Sequence, residues 1–174
     1  SRLAKLIFVA IALWLLPILA LGAYFGWHHS YTQMAWFFTK AALLTFGGAY
    51  AVLPYVYQGA VDQFHWLSAN QMMDGLALGE TTPGPLIMVV AFVGYLAGHI
   101  QHLIGFSSPF WFGVLGAVVA TWFTFLPSFF FILVGGPLVE STHGNLQFTA
   151  PLTSISAAVV GVIVNLGLFF AYHV

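Results

Sequence analysis

One lysine and two glycines lie inside an apolar stretch of the chain, and together they have the composition of an anion-binding site. Lys40 precedes Gly47 by seven residues, about two helical turns, so both fall on one face of a helix. The adjacent Gly47 and Gly48 weaken a continuous helix, and a break there would start a new helix near Ala49. Free N–H groups at a helix start attract anions, and a nearby lysine adds a positive charge. The alternatives are a glycine packing face and a lysine that reaches the interface from a later helix start.

A second candidate is the polar run from Glu80 to Pro85, "ETTPGP", which precedes another apolar stretch. A residue before proline avoids the α region, whereas proline is favoured at the first helical position. We therefore expect a helix to begin near Pro83, with Thr82 as its N-cap. The predicted anion contacts at this helix start are Thr81, Thr82 and Gly84. The alternative is an ordinary cap of an interfacial helix.

Glu80 and Asp74 are the candidates for proton coupling. Desolvation favours the protonated form of a carboxylic acid, so partial burial beside an anion site would let either group carry a proton. The alternatives are a solvated Asp74 and an ion pair between Glu80 and Lys40. His99-x-x-His102 offers two metal ligands with no third, and no catalytic triad, zinc motif or phosphate loop occurs. We therefore expect no enzyme activity, no metal site and no cofactor.

The composition indicates which kind of molecule carries these residues. Of the 174 residues, 61% are hydrophobic and 4% are charged, and the mean hydropathy is +0.98. A soluble domain carries roughly 25% charged residues, so this composition is that of an integral membrane protein. Long continuous apolar runs predict helices instead of barrel strands. The absence of cysteine excludes disulfides and thiolate chemistry, and no basic patch indicates nucleic acid.

The apolar runs predict an all-α, multi-pass bundle of about five to six spans with interrupted or re-entrant helices. Residues 1–174 are interpreted as one membrane domain, with a first span in 1–28 and a core in 31–174. Arg2 and Lys5 before the first span predict a cytoplasmic N-terminus. The predicted segments are Leu3–Phe25, an interrupted Tyr31–Tyr57, an amphipathic connector Gly59–Thr82, Pro83–Ile100, Ser108–Glu140 (strongly tilted or broken near Pro127) and Pro151–Tyr172.

Four stretches of the chain resemble the chromate ion transporter family. They are "KAALLTFGGAYAVLP" from Lys40, "WLSANQMMDGLALGETTPGP" from Trp66, "GAVVATWFTFLPSFFFILVGGPLVE" from Gly116 and "AAVVGVIVNL" from Ala157. The resemblance implies a multi-pass protein of the bacterial inner membrane that exports chromate, with sulfate as a related substrate, using the proton motive force. It also implies a homologous N-terminal half or a second copy as partner. This chain resembles the C-terminal half of a tandem member, one of two homologous repeats.

The resemblance also marks positions of this chain as functional. Besides the anion contacts above, it assigns structural motif positions at Pro54, Trp66, Pro83, Pro85 and Pro127. The expected mechanism is that two repeats rock against each other around a central anion site. Two other functions remain open, a passive anion pore and a membrane subunit that does not itself transport.

Overall fold

The structure is a computed structural model, and it describes residues 2–44, 52–81, 85–100 and 108–141 with eleven positions between 157 and 172. Every regular element in this part of the chain is a helix, which confirms the predicted all-α membrane bundle. Of the helices in the described residues, two are long and apolar enough to cross a membrane, Ala4–Phe25 and Pro109–Gly136. The elements are α1 (Arg2–Phe25), α2 (Ser30–Leu44), α3 (Leu53–Tyr57), a π-helical turn (Gln58–Gln63), α4 (Ala69–Glu80), α5 (Pro85–Ile100) and α6 (Pro109–Ser141).

α1 and α2 form an antiparallel pair joined by a tight turn. Gly26 in this turn has a φ of +99°, a left-handed conformation that favours glycine at a helix C-terminus. The Thr32 hydroxyl donates to the Gly26 carbonyl at 2.9 Å and ties the start of α2 to the turn. Further along, the indole N–H of Trp14 donates to the Thr39 hydroxyl oxygen at 2.9 Å. These bonds set the register of the two helices.

The same turn holds His29 in a partly buried position. Burial lowers the pKa of its imidazole because it disfavours the charged form. The ring centroid lies 5.1 Å from those of Phe25 and Tyr31, and Nδ1 accepts the Tyr31 backbone N–H at 3.3 Å. A protonated imidazole has no free acceptor, so the turn favours neutral His29.

We expect the protein to lose stability as the pH falls below about 6.5, because the unfolded chain then binds a proton that folded His29 resists. His29→Asn, whose side-chain oxygen can still accept the Tyr31 N–H, should lose less stability over this range. Thermal unfolding in detergent between about pH 7.5 and 5.5 measures the difference. His28→Asn, at the exposed neighbouring position, is the control. Equal pH dependence in the wild type and both variants would contradict the prediction.

α5 packs against α6 through glycines on both helices. A Cβ at Gly94 would overlap the carbonyl oxygen of Gly116, and a Cβ at Gly98 would overlap that of Phe112. Small residues let membrane helices approach this closely. The two contacts run in opposite directions along the helices, so the pair is antiparallel. Gly94 faces Gly116, and Pro85 lies nine residues before Gly94. In an antiparallel pair the same distance on α6 is counted forward from Gly116 and reaches Phe125, so the start of α5 is level with Phe125.

α6 is one continuous helix of 33 residues, about 50 Å long. The predicted alternative of a break near Pro127 is therefore wrong, and the strong tilt that was the other alternative stays a prediction. Proline lacks an N–H, so Pro127 leaves the Phe123 carbonyl without its usual helical donor. Membrane helices tolerate this because neighbouring groups and small local adjustments satisfy the freed carbonyl.

The predicted interruption of the second apolar segment is confirmed. A separate helix, α3, begins at Leu53 after α2, with Pro54 in its first turn, where a missing N–H costs no hydrogen bond. Gly47, Gly48 and the helix start expected near Ala49 lie outside the described residues.

After this interruption the chain returns to the middle of α2. The Phe37 ring stacks on Tyr55 with 4.9 Å between centroids, and a Cβ at Gly59 would overlap the same ring. Phe37 lies seven residues before the end of α2 at Leu44, which is about 10 Å along the helix. The chain therefore comes back over that distance, and the segment 31–57 is a hairpin.

α4 and α5 form a second hairpin. A capping box starts α4: the Ser68 hydroxyl accepts the Gln71 backbone N–H at 3.3 Å, and the Gln71 side chain accepts the Ser68 N–H at 2.9 Å. Only residues 81–84 separate the two helices, and Gly75 on α4 gives room to Phe92 on α5. Two packed helices with so short a link are antiparallel. The connector predicted for Gly59–Thr82 thus contains most of the π-helical turn and a helix of its own.

The apolar core lies where the two hairpins meet α6. Its largest fully buried side chains come from all of these elements and include Met34, Phe37, Phe38, Val56, Trp66, Met72, Val89, Val93 and Phe123. The eleven described positions between 157 and 172 are helical, as predicted for Pro151–Tyr172, and their side chains are exposed.

Candidate functional site

The helix start of α5 lies at depth within the bundle. α5 has 16 residues, about 24 Å, which is shorter than the roughly 30 Å of a bilayer's hydrocarbon core. Its first residue, Pro85, is level with Phe125, the central residue of α6. The ends of α4 and α5 therefore meet level with the middle of the longest helix. Thr82, Pro83 and Gly84, including the predicted helix start and cap, lie outside the described residues.

Lys40 lies at a similar depth on α2. The preceding residue, Thr39, is hydrogen-bonded to Trp14. Trp14 lies near the midpoint of α1, twelve residues after its first residue and eleven before its last. The Lys40 side chain is half-buried in a groove of about 340 Å³ between α1, α2 and α6, here called the Lys40 groove. Its lining is otherwise almost wholly apolar and includes Trp14, Trp36, Leu43, Leu126, Pro127 and Phe130.

The Lys40 ammonium faces an aromatic ring. Its Nζ lies 6.0 Å from the centroid of the Trp36 ring, within the range of a cation–π interaction. The alternative that Lys40 pairs with Glu80 is not realised in the described part of the chain, since no carboxylate of that part lines the Lys40 groove. A lysine at this depth is costly, and such residues usually face a partner or a cavity. Lys40 therefore presents a positive charge to the groove.

The structure brings some predicted positions together and separates others. Lys40 and Pro127 line the same groove, although 86 intervening positions separate them in sequence. Thr81 and Glu80 do not line that groove. Trp66 is buried on the opposite side of α2, where it stacks on Phe38. The described residues thus place the lysine and the α4–α5 link at similar depth but not in one cavity.

Thr81 and Glu80 lie at the end of α4 that points into the bundle, whereas Asp74 lies in the middle of that helix. Thr81 is the C-cap, and its hydroxyl donates to the Leu78 carbonyl at 2.7 Å. Glu80 is the last residue of α4, and both it and Asp74 are exposed. The burial that proton coupling requires is therefore not provided by the described residues of one chain.

Some features of this region have no signal in the sequence motifs. The approach of Pro127 to Lys40 depends on how α6 crosses α2, and the sequence spacing says nothing about it. A helical pattern at Trp36, Lys40 and Leu43 does place these three residues on one face, and it was the available signal for the Lys40 groove. The π-helical turn before Trp66 has no recognisable sequence signature.

The family model described as chromate transporter matches residues 32–174, which contain all four of the quoted stretches. This chain belongs to the chromate transporter family. The resemblance seen in the motifs is therefore confirmed, and membership of a family of membrane transporters agrees with the apolar helices of the bundle.

Among the proteins similar to this chain are chromate transport proteins of two bacteria. The chain is 41% identical over 124 residues to a chromate transport protein of Pseudomonas aeruginosa, covering 71% of this chain and 26% of the relative. It is 34% identical over 133 residues to a chromate transport protein of Cupriavidus metallidurans, covering 76% and 29%. The uncharacterized transporter YwrA of Bacillus subtilis is 37% identical over 92 residues, covering 52% and 44%. The chain thus spans less than a third of the first two relatives, and no solved structure matches it.

Proposed function

We propose that this chain is one repeat of a secondary transporter that exports chromate across the bacterial inner membrane, driven by the proton motive force. The names of two relatives in the chromate transporter family support chromate as the substrate. Sulfate, which has the same tetrahedral shape and charge, is the related anion to be tested. No chemical step is required of the protein, so its function is transport and not catalysis.

The observation that carries the proposal is the depth of the α5 helix start. A helix N-terminus has unpaired N–H groups and a partial positive charge, which suit an oxyanion. Because α5 begins level with the middle of α6, such a site would lie inside the bundle. Broken helices whose starts face an anion near the midplane are a common design of secondary transporters. Thr81, Thr82 and Gly84 are the proposed contacts at this start, and Gly47 and Gly48 are the proposed contacts at the other interruption.

Lys40 is the proposed counter-charge. Its ammonium is the charged group of an otherwise apolar groove level with the middle of α1. Two charges a few ångströms apart interact strongly where water is scarce, so a dianion within reach of the groove would be stabilised. Rocking of the helices around this depth would then expose the anion to either side in turn.

A second repeat is the proposed partner, either a homologous N-terminal half or a second copy of the chain. One chain leaves Thr81, Glu80 and Asp74 exposed. A second repeat packed along the second half of α4 would bury both carboxylates, and burial favours their protonated form. Glu80 and Asp74 are in this way the proposed proton carriers. The aligned part of this chain covers 26% of the Pseudomonas aeruginosa relative and 29% of the Cupriavidus metallidurans relative. Both relatives are therefore long enough to contain a second repeat.

The test is uptake of radiolabelled chromate by inverted membrane vesicles that contain the complete transporter. We expect uptake when the vesicle interior is acidified, loss of uptake when an uncoupler collapses the proton gradient, and competition by unlabelled sulfate weaker than by chromate. Uptake that persists with the uncoupler would indicate a passive pore. If a companion repeat alone carries full uptake, this chain is a subunit that does not transport.

In the same assay, Lys40→Met should reduce chromate uptake by at least about tenfold, the change that corresponds to 1.4 kcal/mol of lost stabilisation. The reason is that methionine keeps the length of the side chain but removes the only charge identified in the groove among the described residues. Lys40→Arg should retain more uptake than Lys40→Met. Lys5→Met, which removes the same charge at an exposed position of α1, is the matched control. Undiminished uptake in Lys40→Met would remove this residue from the mechanism.

A further inference from the structure

The indole of Trp66 is a fully buried hydrogen-bond donor. Its side chain is 1% exposed and stacks on Phe64 with 4.6 Å between ring centroids. From α2, the Phe38 ring lies nearly parallel to it at 6.2 Å and the Phe37 ring nearly perpendicular at 5.6 Å. Its Nε1 meets no hydrogen-bond acceptor within the described residues. A buried donor without an acceptor is unfavourable, and most such groups in proteins have a partner, often water or a ligand. The environment of the ring therefore does not account for the N–H.

An unusual backbone holds this indole in place. The π-helical turn 58–63 precedes it, and the Trp66 backbone N–H donates to the Ala60 carbonyl at 2.8 Å. His65 has a φ of +51°, rare for a residue other than glycine, and its Nδ1 lies 2.8 Å from the Val61 carbonyl oxygen. π-Helical turns and left-handed residues occur frequently at functional sites, where the surrounding contacts maintain them. Both features occur immediately before Trp66.

The chemistry of the donor restricts its partner. An indole N–H donates one hydrogen bond and accepts none, so it suits a ligand that presents only acceptors. The acidic side chains nearest in sequence, Asp62, Asp74 and Glu80, are exposed and do not supply the acceptor. The ring lies against Phe38, two residues before Lys40, and so at the depth proposed for the anion but on the core side of α2.

We infer that the Trp66 indole N–H donates to an oxygen of the transported oxyanion and is a specificity-determining group of the transporter. This inference rests on the proposed function and adds to it a neutral donor at the depth of the charged Lys40 but on the other side of α2. In the conformation seen here the Nε1 edge is closed to solvent, so the anion reaches it when the contact between α2 and the segment 58–66 opens during transport. A neutral donor in a site without water discriminates a tetrahedral oxyanion from a halide by the position of its oxygens.

The test is a titration of the reconstituted transporter with sodium chromate, followed by the ¹⁵N–¹H resonances of the tryptophan indoles. The chain has six tryptophans, and Trp66→Phe identifies the relevant resonance by its loss. We expect chromate and sulfate, but not chloride, to shift the Trp66 resonance. The Trp122 indole, which already donates to the Leu13 carbonyl at 3.2 Å, is the internal control and should not shift.

The matched variants are Trp66→Phe and Trp122→Phe, both of which keep an aromatic ring. Trp66→Phe should weaken chromate binding by about tenfold or more, as expected for a hydrogen bond to a charged group, with thermal stability unchanged or slightly raised. Trp122→Phe should bind chromate as the wild type does. If the Trp66 resonance does not shift on addition of chromate although the wild type transports it, this inference is wrong and the proposed function is unaffected. Absence of any chromate binding or transport would overturn both.

Discussion

Gly116→Leu is expected to prevent the protein from accumulating in a folded form. A Cβ at this position would overlap the carbonyl oxygen of Gly94, and the converse holds for a Cβ at Gly94, so backbone meets backbone at this crossing. A backbone cannot rotate away as a flexible side chain does, and α5 would have to move off α6. Overpacking a core costs typically 1–3 kcal/mol when neighbours can adjust, and we expect more than that here.

The loss of α5–α6 packing should also displace the proposed anion site, because α5 carries the helix start at Pro85. Size-exclusion chromatography in mild detergent and thermal unfolding measure the effect, with Gly116→Ala as a milder variant of the same change. Gly135→Leu is the matched control, since it lies on the same helix and a Cβ there has no neighbour within 4 Å among the described residues. Similar yields and melting temperatures for the two leucine variants would show that the crossing is looser than described.

The apolar runs of this chain predict its helices well where each run forms one helix. The first span, predicted as Leu3–Phe25, forms as Arg2–Phe25, because an unbroken apolar run bounded by charge and by a glycine turn has one low-energy arrangement in lipid. The start of α3 at Leu53 agrees with Pro54, because proline is favoured in the first turn of a helix. These features depend on local backbone chemistry.

Features that depend on distant contacts are not predictable in the same way. Proline at position 127 suggests a break, yet the helix continues, because membrane helices accommodate a missing N–H locally. The return of Tyr55 to Phe37 depends on aromatic stacking between residues that no periodicity relates. The groove that Lys40 and Pro127 share likewise depends on a tertiary contact, the packing of α6 against α2. The sequence thus names the candidate residues of the site, whereas their grouping follows from tertiary packing.

Labelling of single cysteines should place residue 62 on the same side of the membrane as residue 28, with residue 5 on the opposite side. The chain has no native cysteine, so His28→Cys, Asp62→Cys and Lys5→Cys each introduce the only thiol, at an exposed position. The hairpin of α2 with α3 returns the chain toward the turn between α1 and α2. If 31–57 instead formed one interrupted crossing, residue 62 would emerge beside residue 5.

A membrane-impermeant maleimide applied to intact cells measures the sidedness of each thiol. Because Arg2 and Lys5 predict a cytoplasmic N-terminus, we expect near-complete labelling at residues 28 and 62 and labelling at residue 5 only after the membrane is permeabilised. Labelling of 28 and 62 from opposite sides would refute the hairpin. The outcome matters for function because α4 starts from the side where residue 62 lies. If that side is the outer one, the α4–α5 hairpin enters from the outside, and the link between its helices reaches the depth of Lys40 without crossing the membrane.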